Sequence, residues 1–159
     1  MKGEIIAVLH NIRSIHNVGS IFRTADAAGV SKLYLCGITP TPLDRFGKTR
    51  VDFTKVSLGA EKTVPFESLR SITLLFKRLK KEGYTIVAIE LARGAIPYSS
   101  LRRILKNKKV ALVLGNEVEG IPEEILSQVD IIAEIPMKGE KESLNVSVAF
   151  GIVAYGILY

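Results

Sequence analysis

Ser143-Leu144-Asn145-Val146-Ser147-Val148-Ala149-Phe150-Gly151-Ile152-Val153-Ala154-Tyr155-Gly156-Ile157-Leu158-Tyr159 carries no charged residue, and it directly follows Ile135-Pro136-Met137-Lys138-Gly139-Glu140-Lys141-Glu142. Polar side chains crowd the start of this stretch and apolar ones fill the rest. A helix entered this way has free backbone N–H groups and hydroxyl or amide side chains at one end. Its body must be buried on nearly every side. Val146, Ala149, Phe150, Val153, Ala154 and Ile157 form one stripe, and Ile152, Tyr155 and Leu158 make further faces apolar. One face can meet a sheet. The remainder needs another cover, and a partner subunit is the expected one. The stretch reads as a core helix with a site at its mouth.

Upstream, apolar runs of strand length alternate with helical patterns. Strands are expected at residues 5–9, 32–36, 84–89, 110–114 and 131–135. Val18, Ile21, Phe22, Ala25 and Ala28 have helical spacing, with Gly29 as the stop and Asn17 where an N-cap is wanted. Leu69, Ile72, Leu75, Phe76 and Leu79 mark an amphipathic helix, and residues 122–129 a short one with Pro122 in its first turn. Continuous apolar strands between helices predict an α/β fold, a mostly parallel sheet with helices on both faces. Ligands of such sheets bind beyond the carboxyl ends of the strands. The candidate site loops are therefore residues 11–19, 115–122 and 136–145. Residues 37–50, with Pro40, Pro42 and Gly47, form a loop long enough to be functional.

The chain has 159 residues. That suits one domain, and a core this size buries roughly 70% of the unfolded surface without disulfide or metal. Cys36 is the single cysteine and lies in an expected strand, so a buried thiol is expected rather than a nucleophile. His10 and His16 have no ligand-like neighbours in sequence, and no metal site is expected. No signal peptide opens the chain and the uncharged stretch is short for a membrane span, so a soluble, cytoplasmic protein is expected. The formal charge is +6. Its densest clusters, Lys77-Arg78 with Lys80-Lys81 and Arg102-Arg103 with Lys106, Lys108 and Lys109, are either solvated faces or contacts for a polyanion such as RNA.

Several chemistries are excluded. No G-x-G is present for a dinucleotide, and no G-x-S-x-G for a hydrolase. Gly115 and Gly120 have P-loop spacing, but Ile121-Pro122 stands where the phosphate-binding lysine is required, and Glu117 and Glu119 disfavour a phosphate there.

Three segments together resemble the SpoU (TrmH-type) RNA methyltransferases of the SPOUT, or alpha/beta-knot, superfamily. They are Asn17-Val18-Gly19-Ser20-Ile21-Phe22-Arg23-Thr24-Ala25, Leu114-Gly115-Asn116-Glu117-Val118-Glu119-Gly120-Ile121-Pro122, and Ile135-Pro136-Met137 leading to Ser143-Leu144-Asn145-Val146-Ser147. The resemblance covers essentially the whole chain. It implies transfer of a methyl group from S-adenosyl-L-methionine to a ribose 2′-hydroxyl in tRNA or rRNA, a homodimer, and a C-terminal trefoil knot. General topology rules disfavour a knot, and here the resemblance outweighs them. Methylation of a base nitrogen and a non-catalytic RNA-binding module remain as alternatives. Residues 1–159 are expected to form a single methyltransferase domain without a separate RNA-binding domain.

Carried over by position, the resemblance implies catalytic roles for Asn17, Arg23, Glu117, Ser143 and Asn145. It implies a cofactor pocket along Ile89, Glu90, Leu114, Gly115, Ile135, Met137, Ser143 and Leu144. RNA contacts are expected at Arg13, Arg23, Lys48 and Arg50. A sulfonium donor is already activated, so the protein must align methyl and acceptor and help remove a proton. A guanidinium stays charged, so Arg23 is better suited to anchoring a phosphate and favouring an alkoxide nearby. Glu117 is expected to orient Arg23 or other polar groups, and Ser143 and Asn145 either to cap the last helix alone or to contact the cofactor or acceptor ribose as well.

Overall fold

A computed structural model describes residues 3–159. The strands β1 (Ile5–His10), β2 (Lys32–Cys36), β3 (Phe66–Leu69), β4 (Tyr84–Ile89), β5 (Ile96–Pro97), β6 (Lys109–Leu114) and β7 (Ile131–Glu134) form one sheet in the order β3-β2-β1-β6-β4-β7-β5. Every pairing in it is parallel. The register aligns the strand ends: Leu9 faces Leu35 on one side and Leu114 on the other, and Ile89 faces Ala133. The carboxyl ends of β1, β6, β4 and β7 therefore open on one edge. The chain leaves β1 toward β2 and β3, then continues on the opposite side through β4. The loops after β1 and β6 thus meet where the direction of winding reverses, the place where such sheets hold ligands.

Both faces of the sheet are covered, which is why its strands read as unbroken apolar runs. Ile5, Ala7, Leu9, Leu112 and Leu114 share one core with α1 (Ile15–Ala28), α2 (Val51–Ser57), α3 (Ala60–Thr63), α5 (Leu101–Ile104) and α7 (Val146–Leu158). Ile6, Val8, Ala111 and Val113 share the other with α4 (Ile72–Lys81) and α6 (Glu123–Leu126). Phe22 anchors the first core, edge-on to Phe53 at 5.2 Å and to Phe66 at 5.6 Å between ring centroids. Removing a ring so enclosed costs about 3–5 kcal/mol.

The expected strands form within a residue of their predicted bounds, and Gly29 ends α1 with φ of 79°. The start of α1 differs. Ser14 is its N-cap, accepting the Asn17 N–H on Oγ at 3.1 Å, so Asn17 lies inside the first turn rather than capping it. Leu69 ends β3 instead of opening α4, whose cap is Ser71, and Pro122 caps α6 from just outside it. Residues 37–50 are a loop as expected, followed by α2, α3 and β3, for which no pattern stands out in the sequence. These elements are four to seven residues long, too short to display a period. Among the described residues, no helix is long and apolar enough to cross a membrane.

Candidate active site

Where α1 begins, two backbone N–H groups of the loop after β1 need acceptors. The Glu117 carboxylate supplies them: Oε2 accepts from the Arg13 N–H and Oε1 from the Ser14 N–H, each at 3.1 Å. Oε1 also accepts from Asn17 Nδ2 at 3.2 Å. A carboxylate beside the start of a helix is also favoured by the helix dipole. Burial pushes the Glu117 carboxyl up, but the donors from Arg13, its own amide, Ser14 and Asn17 together hold it below its ordinary value. It is an anion at neutral pH.

Asn17 is only 8% exposed. With its amide nitrogen given to Glu117, its Oδ1 accepts from Asn145 Nδ2 at 3.0 Å. Asn145 in turn caps α7: its Oδ1 accepts from the Ser147 N–H at 2.9 Å and from Ser147 Oγ at 2.6 Å. Ser143 lines the neighbouring wall and takes no part in the cap, contrary to the capping expected of it. The three loops are joined through Glu117, Asn17 and Asn145 in a line.

That line borders a cavity of about 480 Å³, within the size range of small-molecule sites. All eight expected cofactor positions line it: Ile89, Glu90, Leu114, Gly115, Ile135, Met137, Ser143 and Leu144. Glu90 contributes structure as well as lining. Its Oε2 accepts from the Ile121 N–H and its Oε1 from the Leu91 N–H, both at 3.0 Å, tying the end of β4 to the loop after β6. Sequence reasoning did not single out Asn116. Its Oδ1 accepts from the N–H groups of Val118 and Glu119 at 2.9 Å, and its Nδ2 reaches the Asn11 carbonyl at 2.9 Å. An asparagine just past a strand, between Gly115 and Gly120, is the available signal for such a turn.

The cavity wall mixes apolar side chains with the carboxylates of Glu90, Glu117 and Glu119. Among the described residues, no lysine or arginine lines it. This potential suits a cationic or neutral ligand and opposes a polyphosphate. An adenosyl group carrying a sulfonium fits the apolar wall and the charge.

Arg23 is not among the residues around the cavity. It is exposed on α1, in a depression with His16, Ser20, Lys55 and Tyr155. Of the two roles expected of Glu117, orienting Arg23 or other polar groups, the structure has the second: Glu117 holds the Asn17 amide and the Arg13 and Ser14 N–H groups and does not reach Arg23. Six residues of helix carry Arg23 roughly 9 Å along the axis from Asn17. Arg13 contributes its backbone to Glu117 and leaves its side chain exposed. Lys48 is exposed on the loop after β2, whereas Arg50 pairs with Asp52 at 3.3 Å.

A doubly covered parallel sheet with a cavity at its winding reversal defines an α/β ligand-binding domain, and a wall that mixes apolar side chains with three carboxylates suits a neutral or cationic ligand. The chain belongs to the SpoU rRNA methylase family, whose model matches residues 4–155. It is similar to the tRNA (guanosine(18)-2′-O)-methyltransferase of Aquifex aeolicus, at 33% identity over 96% of this chain and 67% of that relative. It is also similar to the 23S rRNA (guanosine-2′-O-)-methyltransferase RlmB of Xylella fastidiosa, at 32% identity over 95% of this chain and 57% of the relative. Among solved structures, the AdoMet-bound rRNA methyltransferase from Sinorhizobium meliloti superposes with a TM-score of 0.87 at 30% identity, covering 99% of this chain and 56% of that one. The chain thus spans between about half and two thirds of these relatives.

Proposed function

We propose that this chain is an S-adenosylmethionine-dependent methyltransferase acting on a ribose 2′-hydroxyl of tRNA or rRNA. The observation that carries this reading is the hydrogen-bonded line Asn145–Asn17–Glu117 beside a cavity walled by apolar side chains and carboxylates. S-adenosylmethionine supplies an activated methyl on a sulfonium. The chain's residues then have to place an acceptor oxygen and exclude water. Ile89, Leu114, Ile135, Met137 and Leu144 offer apolar surface for the adenosyl group, with backbone polar groups at the strand ends for its edges. Glu90, Glu117 and Glu119 favour the positive charge. Asn17 and Asn145, locked by their mutual bond, are positioned beside the site where the ribose enters. Ser143, on the rim, offers a hydroxyl to cofactor or ribose.

The same reading includes a homodimer and a trefoil knot. Val148, Tyr155 and Tyr159 are exposed along α7, and Tyr155 stands beside Arg23. A second copy covering this face brings Arg23 to a cavity from which its own chain withholds it. There the guanidinium anchors an RNA phosphate and stabilises the forming alkoxide, whose proton passes to that phosphate or to water as the methyl moves from sulfur to oxygen. The knot draws support from Ile135, Met137, Ser143, Leu144 and Asn145, which share the cavity with the ends of β4 and β6 before α7 packs on α1.

The test is labelled methyl transfer from S-adenosylmethionine to total tRNA and to rRNA, followed by nucleoside analysis. A 2′-O-methylnucleoside is expected. A methylated base would replace the ribose reading, and cofactor binding without transfer to any RNA would point to a non-catalytic role.

A further inference from the structure

The loop after β2 is an ordered hairpin. At its root, Thr39 Oγ1 accepts from the Ile12 N–H at 3.1 Å and lies 2.8 Å from the Cys36 carbonyl and 3.0 Å from that of Leu9. The Ile38 N–H donates to Asn11 Oδ1 at 3.1 Å. These bonds fix the root to the segment whose next residues, Arg13 and Ser14, are held by Glu117. The hairpin thus rises from the same edge of the sheet as the cavity.

Its tip is equally defined. Leu43 and Thr49 pair in an antiparallel bridge, and the Asp44 N–H donates to the Lys48 carbonyl at 2.8 Å. Asp44 Oδ1 accepts from the N–H groups of Phe46 and Lys48 at 2.8 and 3.0 Å. Gly47 takes the left-handed conformation, with φ of 77°, that closes the turn. This scaffold displays Phe46, 73% exposed. The ring therefore contributes little to the core. The Arg45 guanidinium stands 4.7 Å from the ring centroid, and the Lys48 side chain is exposed on the same turn. The one carboxylate at the tip, Asp44, is engaged by backbone donors.

The geometry points to this hairpin as a platform for single-stranded RNA: a nucleobase stacks on Phe46 while Arg45 and Lys48 meet the flanking phosphates. This rests on the reading of the chain as an RNA methyltransferase and names how it takes hold of its substrate. An aromatic face with adjacent cations is how proteins bind unpaired nucleotides. A tip already held by its own hydrogen bonds loses little conformational freedom on binding. An apolar protein partner fits less well, because a guanidinium stands 4.7 Å from the ring centroid.

The sequence contains no tryptophan, so Phe46→Trp installs a single reporter at the tip. Total tRNA is titrated into this variant and into wild type, Phe46→Ala and Lys48→Ala, with S-adenosylmethionine binding followed separately by calorimetry. RNA is expected to quench the tryptophan emission. Phe46→Ala is expected to weaken RNA binding roughly 5- to 100-fold, the loss of one stacked base, with cofactor affinity unchanged. Lys48→Ala is expected to weaken binding and flatten its salt dependence. RNA binding without quenching, wild-type affinity in Phe46→Ala, or no RNA binding by wild type would overturn the proposal. A change in sedimentation of Phe46→Ala without change in RNA affinity would assign the tip to a protein interface instead. If RNA quenches the tryptophan but calorimetry detects no cofactor, the platform stands and the methyltransferase reading falls.

Discussion

Asn145 Nδ2 donates to Asn17 Oδ1 at 3.0 Å across 128 residues of sequence, and this bond fixes the amide orientation of both side chains. Asn17 must present its oxygen to Asn145 because its nitrogen is given to Glu117. Asn145 must present its nitrogen because its oxygen caps α7. Each asparagine is thereby used as donor and acceptor at once, which neither aspartate nor alanine reproduces.

Replacing Asn17 tests this polarity. Asn17→Ala removes a donor and an acceptor from a buried position and is expected to destabilise the fold by about 1–3 kcal/mol. Asn17→Asp keeps the acceptor but places a second carboxylate against Glu117. It is expected to melt below Asn17→Ala at neutral pH and to regain stability as the pH is lowered. Thermal denaturation of both variants from neutral to mildly acidic pH decides the matter. An Asn17→Asp variant as stable as wild type at neutral pH would contradict the orientation.

Glu117 makes a related prediction about acid. Its carboxyl titrates below its ordinary 4.5 in the folded chain. A group lowered by folding contributes stability that is complete above its unfolded pKa and is lost as pH falls through the folded value. The melting-temperature gap between wild type and Glu117→Gln should therefore hold steady above pH 4.5 and narrow below it. A gap that stays constant down to acid unfolding would remove the anionic role of Glu117.

Strands β1, β2, β4, β6 and β7 were legible in the sequence as apolar runs between helices, and the three site loops because each follows such a strand, whereas the short, part-exposed edge strands β3 and β5 left no pattern. The line through Glu117, Asn17 and Asn145 was not, since its members are separated by 100 and 128 residues and only the parallel register brings them together. Asn17 illustrates the limit. An asparagine before Val18 looks like a cap, yet Ser14 three residues earlier has the hydroxyl that reaches the Asn17 N–H. Glu90 reads as lining, but whether a carboxylate faces a ligand or the Ile121 N–H depends on a contact between distant loops.

Close packing at the cavity floor gives a prediction for glycine. A Cβ at Gly115 would lie 2.5 Å from Ile121 Cγ1 and 2.8 Å from the Gly120 carbonyl. At Gly120 it would lie 2.5 Å from Glu90 Oε2 on a backbone with φ of 69°. Gly115→Ala pushes backbone on backbone and is expected to cost about 1–3 kcal/mol in stability, with cofactor affinity reduced by at least tenfold by calorimetry, about 1.4 kcal/mol. Unchanged affinity would show that the floor can yield without disturbing the ligand.

Cys36 is fully buried on the α4 side of β2, and burial pushes its thiol up to about 12. Only the thiolate reacts with alkylating reagents. At mildly alkaline pH the native protein is expected to resist iodoacetamide and to be modified stoichiometrically once unfolded, as mass spectrometry would record. Cys36→Ala is expected to retain methyl transfer. Rapid native alkylation accompanied by loss of transfer would reopen a role for the thiol.

The position of Arg23 separates two ways of completing the site. It is exposed beside Tyr155 and is absent from its own cavity wall, so the proposed dimer supplies a catalytic Arg23 from the second copy. Arg23→Ala and Asn145→Ala are each expected to lose most methyl transfer as purified variants. Co-refolded in equal amounts, they form mixed dimers in which one site pairs an intact cavity with the partner's intact arginine. The other site carries both lesions. Statistical pairing then restores about a quarter of the wild-type rate. If Arg23 serves its own chain, the mixture stays as inactive as its parts, and if Arg23→Ala alone keeps full turnover, the arginine has no essential role. Sequential capture through a different affinity tag on each parent isolates the mixed dimers, so lack of rescue cannot be put down to lack of exchange.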